Sequence, residues 1–414
     1  MDQAHFYLGK YGTYVERDIG GYFQARALID VEMPEEISQK VRDYLEGNIG
    51  PERYTNPKSY YFDDLKRTIE NYGTPLTEVV GKVIENSRYS RRAVLTLFEP
   101  HYIYEEKPNV FIEFQPRFWN DDGNLVSIPV LSVRSLDMVN FFRENVEYFT
   151  ALNRDILERL ELEVEEGPLT MMVNNAHIYE KDLEKGKRRK EKLKYSSHLI
   201  RSRNPNNATK SLWDVILRKG VESDDPRAKG RKMRDIKVWV RVENPVPEID
   251  YETFDPNMAK LYTDQVTGRM KTDHAYDEYE RMCGEPFDQV EGILRNIEKN
   301  PNRRRHLIMI GRKGDINRVL EEREIPCPRY VVLQPEVEDE KMKLNPFIGF
   351  RSNDAYGAFP YDWIAFNLFI REKVMEPLSE RGYDVEMGPL DWESASMHIY
   401  GRDMEKLKFM GDFE

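Results

Sequence analysis

The sequence predicts an α+β (α/β) fold of two tandem domains, each a mixed β-sheet packed with helices. Three observations support this prediction. The chain has 414 residues, more than one hydrophobic core usually organises. Strand-like segments alternate with helix-like segments. Several short motifs occur twice and in the same order, which indicates a duplicated unit.

The period of the apolar residues separates strands from helices. Residues 237–245 (KVWVRVENP) and 329–337 (RYVVLQPEV) are rich in Val and Tyr, which is typical of strands. In residues 285–300 and 362–382 the apolar residues recur about every 3.6 positions, which predicts helices. Gly382 predicts the end of the second helix, because glycine readily adopts the backbone conformation found there.

The repeated motifs lie 213 to 221 residues apart. GPLTMMVNNAHIYEKDLE at 167–184 matches GPLDWESASMHIYGRDME at 388–405, with Gly, His, Tyr and Asp at identical offsets. Three more pairs precede it: Arg134-Ser135-Leu136-Asp137 with Arg351-Ser352-Asn353-Asp354, Phe114-Gln115-Pro116 with Leu333-Gln334-Pro335, and Ser90-Arg91-Arg92-Ala93 with Arg303-Arg304-Arg305-His306. Four matched pairs in one order indicate a tandem duplication.

The predicted domains are residues 1–190 and residues 211–414, joined by a linker at 191–210. A run of Lys and Arg at 184–195 and the turn-forming RSRNPNN at 201–207 mark the joint. We interpret the basic run as a solvated connector, with contact to phosphate or nucleic acid as the alternative. The first domain lacks cysteine altogether.

Composition excludes several classes of function. The net charge of −12 argues against broad nucleic-acid binding. Two cysteines do not make a disulfide framework and favour a reducing cytoplasm. We expect no secretion signal and no membrane span, because the N-terminus and the rest of the chain lack long apolar runs. No metal-binding or P-loop spacing occurs, so we expect no metal.

Residues near the C-terminus combine groups suited to a nucleotide. Cys327 is a candidate nucleophile if positive charge lowers its pKa, or else a small buried apolar residue; Cys283 is interpreted as structural. Arg351 and Ser352 suit a phosphate, or a surface ion-pair network. His398 and Tyr400 lie two apart and face one side of a strand, where they suit a sugar or form a half-buried pair.

Four segments together carry a family resemblance: NPNRRRHLIMI, IPCPRYVVLQ, FRSNDAYGAFPYD and SMHIYGRDME. In their order and approximate spacing they resemble the thymidylate synthase superfamily, which includes the phage hydroxymethylases that act on cytidylate or uridylate. The resemblance covers residues 211–410 well and residues 20–190 more weakly. It implies a folate-dependent enzyme that acts on a pyrimidine nucleoside monophosphate and uses 5,10-methylenetetrahydrofolate as the one-carbon donor.

The resemblance also implies roles for individual residues. Cys327 would attack carbon 6 of the pyrimidine, and Asp354 would lie near the folate. Substrate contacts would come from Arg227, Arg351, Ser352, Asn353, His398 and Tyr400. A catalytic Glu of the family cannot be placed between residues 250 and 280, and its position stays open.

Two departures from the family pattern bear on the reaction. Thymidylate synthases carry Asn where this chain has Asp362, and the cytidylate hydroxymethylases carry Asp; a carboxyl group suits the amino group of cytosine. Only 14 residues follow Tyr400, which predicts a missing lid, access of water and hydroxymethylation. We therefore favour deoxycytidylate hydroxymethylation. Deoxyuridylate hydroxymethylation, thymidylate synthesis and non-catalytic nucleotide binding remain alternatives.

The family forms homodimers in which each active site borrows two arginines from its partner. We therefore expect the two domains to form an internal pseudo-dimer, with further association left open. In this hypothesis the first domain is catalytically inactive, and Arg91 and Arg92 bind the phosphate of the nucleotide at Cys327.

Replacing both Arg91 and Arg92 with Ala should then raise the KM for the nucleotide at least about tenfold, because two charge-assisted phosphate contacts are lost. Steady-state kinetics with the nucleotide varied would measure this. Unchanged kinetics in the double variant would rule out the borrowed arginines.

Overall fold

The computed structural model describes most of the chain as two compact units. Described are residues 4–6, 14–15, 22–45, 76–86, 90–98, 100–101, 110–121, 123–138, 141–160, 164–179, 193–224, 232–250, 254–272, 276–284, 286–301, 306–321, 323–338 and 341–409. Unit 1 comprises Met1–Ser197 and Lys313–Glu322, and unit 2 comprises His198–Arg312 and Arg323–Glu414. Among the described residues, none of the helices has the length and hydrophobicity that a membrane span requires.

Unit 1 contains a mixed sheet of eight strands and a separate sheet of three. The strands are β1 (Ala4–Phe6), β2 (Tyr14–Val15), β3 (Tyr22–Val31), β4 (Leu95–Thr96), β5 (Phe111–Gln115), β6 (Phe118–Asp121), β7 (Asn124–Ser127), β8 (Val130–Val133), β9 (Leu136–Asp137), β10 (Glu165–Glu166) and β11 (Leu169–Tyr179). The large sheet has the order β1-β3-β11-β8-β5-β4, with β2 on β3 and β9 on β11. The small sheet has the order β10-β7-β6.

Unit 2 is built on one mixed sheet of nine strands. They are β12 (His198–Ser202), β13 (Val221–Asp224), β14 (Lys232–Val242), β15 (Leu307–Met309), β16 (Pro328–Glu338), β17 (Lys341–Phe350), β18 (Asn353–Asp354), β19 (Asp384–Met387) and β20 (Leu390–Tyr400). The order is β12-β14-β20-β17-β16-β15, with β13 on β14, β18 on β20 and β19 on β17.

Helices supply the other layer of each unit. They are α1 (Gln39–Leu45), α2 (Leu76–Asn86), α3 (Phe142–Arg159), α4 (Pro205–Lys219), α5 (Pro256–Val266), α6 (Glu278–Cys283), α7 (Gln289–Lys299), α8 (Asp315–Leu320), α9 (Phe359–Ile370), α10 (Glu376–Glu380) and α11 (Gly401–Phe409). A π-helical turn, Arg371–Met375, joins α9 to α10. The segment predicted as one helix at 362–382 is therefore α9, this turn and α10, and it ends at Gly382, whose φ is 96°.

The core of unit 2 fixes the position of helix α9. Phe359 and Trp363 on α9 contact the ring of Trp392 on β20, with ring centroids 5.3 and 5.9 Å apart. Trp363 also donates to the Val246 carbonyl at 2.9 Å, which satisfies its buried N–H. Burial of three large rings at one point ties the start of α9 to the sheet.

The large sheets of the two units share one plan. The order β3-β11-β8-β5-β4 corresponds to β14-β20-β17-β16-β15. A β-bulge interrupts the register at the same two places in each sheet, between the first and second strands and between the third and fourth. In β11 His177 lies opposite Asp137, as His398 in β20 lies opposite Asp354. We propose that tandem duplication produced this shared plan.

The strand registers correct one detail of the motif alignment. Leu131 pairs with Phe114 in unit 1, and its counterpart Ile348 pairs with Val331 in unit 2. Phe114 therefore corresponds to Val331 and not to Leu333. By the same register, the counterpart of Cys327 is Val110. The motif alignment was wrong by two residues, because the Gln-Pro pair of unit 1 and the Gln-Pro pair of unit 2 do not occupy equivalent positions along their strands.

The structure also differs from the predicted linker at 191–210. Residues 198–202 form β12, and helix α4 begins at Pro205. The residues that resembled a turn are a helix start: the Asn204 side chain accepts from the Asn207 backbone N–H at 2.9 Å, followed by Pro at the first helical position. Turn-forming and helix-capping sequences use the same residue types, which explains the error.

Replacing Asn204 with Ala should lower the free energy of unfolding by about 1 kcal/mol, because one N-terminal amide of α4 loses its cap. Chemical denaturation would measure the change. Asn207→Ala is the matched control, since Asn207 is exposed and contributes only its backbone N–H to the cap. Equal stability of the two variants would contradict the capping role.

Candidate active site

Cys327 lies in a loop that Arg351 holds in place. Cys327 precedes β16 and is half-buried, and Arg351 follows the neighbouring strand β17 and is buried. The guanidinium donates to the carbonyls of Ile325 and Pro326, both at 2.9 Å, and its Nη2 lies 3.4 Å from the Cys327 Sγ. The Arg351 backbone N–H donates to the Cys327 carbonyl at 3.1 Å. A fixed positive group beside a half-buried thiol suits a nucleophile.

Asp354 closes a tight turn after the Arg351 block. Its Oδ1 accepts from the backbone N–H groups of Tyr356 and Gly357, both at 3.0 Å. A Cβ at Gly357 would lie 2.8 Å from the Asp354 Oδ2, so glycine leaves the room that this carboxylate occupies. Trp213 donates to the Ala355 carbonyl at 2.8 Å and anchors the turn to α4. The carboxylate is therefore held in one place.

Asp362 is a buried acid in the first turn of α9. Asn353 donates to its Oδ2 at 2.6 Å, and the side chain of Tyr262 on α5 also forms a hydrogen bond with the carboxyl group. Burial raises the pKa of Asp362 to about 7; the nearby charges of Glu278 and Asp354 add to the rise, and the hydrogen bonds from Asn353 and Tyr262 oppose it. Asp362 therefore exchanges a proton near neutral pH.

Three residues that sequence reasoning did not identify share this site. Burial raises the pKa of Glu278, in the first turn of α6, to about 7. Burial is the main cause that raises the pKa of Tyr276, and the charges of Cys327 and Glu278 raise it further. Burial is also the main cause that raises the pKa of Tyr262 well above its usual value, and the charges of Asp362 and Glu278 raise it further. These electrostatic couplings link the thiol to the buried acids.

The sequence did not identify Glu278 as a site residue, because the residues around it indicate only the start of a helix. Asp277 caps α6 by accepting from the Glu280 N–H at 3.0 Å, and acidic residues are common in a first helical turn. Its burial, with 6% of its surface exposed, is a property of the fold. A buried carboxyl group whose charge acts on Asp362 and Tyr276 is a candidate for the catalytic Glu that the sequence left open.

His398 and Tyr400 lie on one side of β20, as their spacing of two predicts. Both are buried, and their rings meet edge to face with centroids 4.8 Å apart. His398 lies opposite Asp354, so the strand pairing brings this pair to the Arg351 block. Ser352, the other expected phosphate ligand, is also buried.

The described residues do not test the remaining expected phosphate ligands. Arg227, Arg304 and Arg305 fall outside the described residues. Arg91 and Arg92 belong to unit 1, directly before β4, and their role in phosphate binding stays a prediction. Burial raises the pKa of Cys283 to about 12, which makes its thiol a poor nucleophile. Within the described part of the chain, no cluster of His, Cys, Asp and Glu could hold a metal ion.

The raised pKa of Asp362 predicts a dependence of stability on pH. Between about pH 4 and pH 7 the folded protein holds a proton on Asp362 that the unfolded chain has released, so the free energy of unfolding should fall as the pH rises through this window. Denaturant titrations at several pH values should show a smaller slope for Asp362→Asn. Asp384→Asn, at an exposed position, is the control for the loss of one charge. An unchanged slope in Asp362→Asn would contradict the assignment.

Comparisons with known proteins show that unit 2 is similar to one protein family. Residues 221–410 match the thymidylate synthase family model. A putative thymidylate synthase of Methanosarcina acetivorans is 25% identical over 217 residues, which cover 51% of this chain and 93% of that protein. The thymidylate synthase of Bacillus phage phi3T is 25% identical over 133 residues, 32% of this chain and 43% of the phage protein.

A solved structure, thermostable thymidylate synthase A from Bacillus subtilis, matches 50% of this chain and 83% of its own, with 19% identity and a TM-score of 0.36. The thymidylate synthase family uses 5,10-methylenetetrahydrofolate as its one-carbon donor. Over residues 221–410, the chain is therefore similar to the thymidylate synthase family.

Proposed function

We propose that the protein transfers a one-carbon unit to carbon 5 of a pyrimidine nucleoside monophosphate, and that it converts deoxycytidylate to its 5-hydroxymethyl derivative. The observation that carries the choice of base is Asp362, a buried group that exchanges its proton near pH 7. An amide at this position can form hydrogen bonds but cannot deliver a proton. An acid can do both.

The reaction begins with a bond from the Cys327 sulfur to carbon 6. Arg351 keeps the loop of Cys327 in position through the carbonyls of Ile325 and Pro326. We assign the nucleotide phosphate to Arg351, Ser352 and Arg227, and the deoxyribose to His398 and Tyr400, while Asn353 contacts the substrate site through its bond to Asp362. Because Arg351 and Ser352 follow β17 and because His398 and Tyr400 lie at the end of β20, these four groups align the base for attack.

Asp362 matches the hydrogen-bonding edge of cytosine. Its protonated carboxyl group donates to N3 and accepts from the 4-amino group. When sulfur adds to carbon 6, negative charge develops toward N3 and carbon 5, and the Asp362 proton moves to N3. Asn353 stabilises the resulting carboxylate, since its amide already donates to Oδ2 at 2.6 Å. Uracil carries a proton on N3 and has no need of this transfer.

The residues around Asp354 fit the folate cosubstrate. The Asp354 carboxylate only accepts hydrogen bonds when ionised, which matches the amino and amide N–H groups of a pterin ring. Its turn fixes the position of this carboxylate, and Gly357 leaves room for it. When bound, 5,10-methylenetetrahydrofolate supplies the methylene group that carbon 5 of the pyrimidine captures.

Glu278 is suited to the later proton transfer. Loss of the proton on carbon 5 and departure of tetrahydrofolate would leave an exocyclic methylene group that can accept water. Glu278 is buried, couples to Asp362 and Tyr276, and has a pKa raised to about 7, so it can take up a proton at neutral pH. Addition of water to the methylene group and loss of the Cys327 sulfur then complete hydroxymethylation.

Thymidylate synthesis from deoxyuridylate is the second candidate. A protonated Asp362 can also donate to the uracil 4-oxygen and accept from its N3–H, as an amide does. The similar proteins of M. acetivorans and phage phi3T carry the name thymidylate synthase. The two candidates differ in whether the Asp362 proton must be transferred or only shared.

Release of tritium from carbon 5 of labelled deoxycytidylate and deoxyuridylate would distinguish them. Asp362→Asn should lower release from deoxycytidylate at least about 100-fold, because general acid catalysis at N3 is lost, and should raise release from deoxyuridylate. Cys327→Ala should abolish both reactions. If Asp362→Asn lowers both rates equally, the proposed choice of base is wrong. If Cys327→Ala retains full activity, the proposed reaction is wrong.

A further inference from the structure

The connection between strands β15 and β16 leaves unit 2 and returns to it. These strands are antiparallel neighbours in one sheet, and such strands can be joined by a turn of two residues. Here residues 310–327 join them, and the part from Lys313 to Glu322 belongs to unit 1. Connections of this length inside a compact fold usually have a function. The pairing of the two strands therefore does not account for the length of this connection.

Helix α8, in the middle of the connection, contributes to the apolar core of unit 1. Ile316 is 2% exposed and belongs to that core, and Val319 and Leu320 pack against it. The three residues recur at positions i, i+3 and i+4, so they form one apolar face. This helix packs against α2 of unit 1. A helix of six residues is not stable alone in water, so α8 depends on this packing for its structure.

The first end of the connection is fixed beside the candidate active site of unit 2. The backbone N–H groups of Ile310 and Gly311 both donate to the Arg329 carbonyl at 2.8 Å. Arg281 lies on α6, the helix that carries Glu278, and donates to the Ile310 carbonyl at 2.8 Å. These bonds tie the start of the connection to strand β16 and to helix α6.

The second end of the connection is the loop of Cys327. Arg351 holds this loop through the carbonyls of Ile325 and Pro326, both at 2.9 Å. Between α8 and Ile325 lie only residues 321–324, and those that the structure describes are exposed. A segment of four residues spans at most about 14 Å, so a larger displacement of α8 must move the loop.

We infer that α8 is a positioning element, through which the core of unit 1 keeps the loop of Cys327 in its reactive shape. Ile316 is the anchor of this element, because it is the residue of the apolar face that belongs to the core itself. It acts only through the chain that runs from α8 to Cys327. The inference takes from the proposed function only the assignment of Cys327 as the nucleophile, and it holds whichever base the protein converts.

Hydrogen exchange in the full chain tests the inference. Ile316→Ala should speed the exchange of the Gly311 and Arg351 backbone amides at least about tenfold, because both amides donate hydrogen bonds at the ends of the connection. Mass spectrometry of peptic peptides measures the rates. Ile156→Ala in α3 is the matched control, since Ile156 is buried in the same core and loses the same atoms but lies outside the connection. Ile316→Val should retain slow exchange.

Tritium release from the nucleotide gives a second readout. Ile316→Ala should lower kcat at least about tenfold, because a misplaced nucleophile reacts slowly. The KM for the nucleotide should change less than about threefold, because Ser352, His398 and Tyr400 lie outside the connection. Ile316→Val should keep a kcat close to that of the wild-type protein.

Circular dichroism and the thermal midpoint check that each variant is folded, and Val319→Ala is the milder variant if Ile316→Ala does not fold. The inference is overturned by equal acceleration of exchange in Ile316→Ala and Ile156→Ala, by unchanged exchange in Ile316→Ala, or by a wild-type kcat in that variant. Faster exchange in Ile316→Ala alone, with no tritium release by the wild-type protein, would remove the proposed reaction and keep the role of α8.

Discussion

The site of unit 2 depends on the attachment of Arg351 to the loop of Cys327. One buried guanidinium donates to two successive backbone carbonyls and touches the sulfur, so it fixes both the shape of the loop and the charge beside the thiol. Because Arg351 follows β17 and Cys327 precedes β16, the antiparallel pairing of these strands brings the two residues together. Lysine could not replace this arginine, since it lacks the planar fork that reaches two acceptors.

Burial of several ionisable groups close together raises the pKa values of the acids at the site. Asp362 and Glu278 both have pKa values raised to about 7, chiefly because each is withdrawn from water. Isolated burial of acids costs stability, and such clusters concentrate at functional sites. The same arrangement is absent from the corresponding position of unit 1, where Asn145 replaces the acid. The two units therefore share a fold plan and differ in the chemistry at equivalent positions.

Much of this organisation could be predicted from the sequence, because motifs with several fixed residues identify strand ends. The strands at 237–245 and 329–337 and the spacing of His398 and Tyr400 correspond to observed elements. Glu278 and Tyr262 could not be predicted, since their interactions with Asp362 depend on how α5 and α6 pack. The linker was misplaced because Asn204-Pro205 caps a helix as readily as it forms a turn.

The most direct test of the account is the mass of the product formed from deoxycytidylate, 5,10-methylenetetrahydrofolate and the purified protein. We predict a cytosine nucleotide heavier by one CH2O group, formed by the wild-type protein and not by Cys327→Ala. A methylated uracil nucleotide from deoxyuridylate, with no product from deoxycytidylate, would contradict the proposed role of Asp362. No product from either nucleotide would contradict the assignment of Cys327 as the nucleophile.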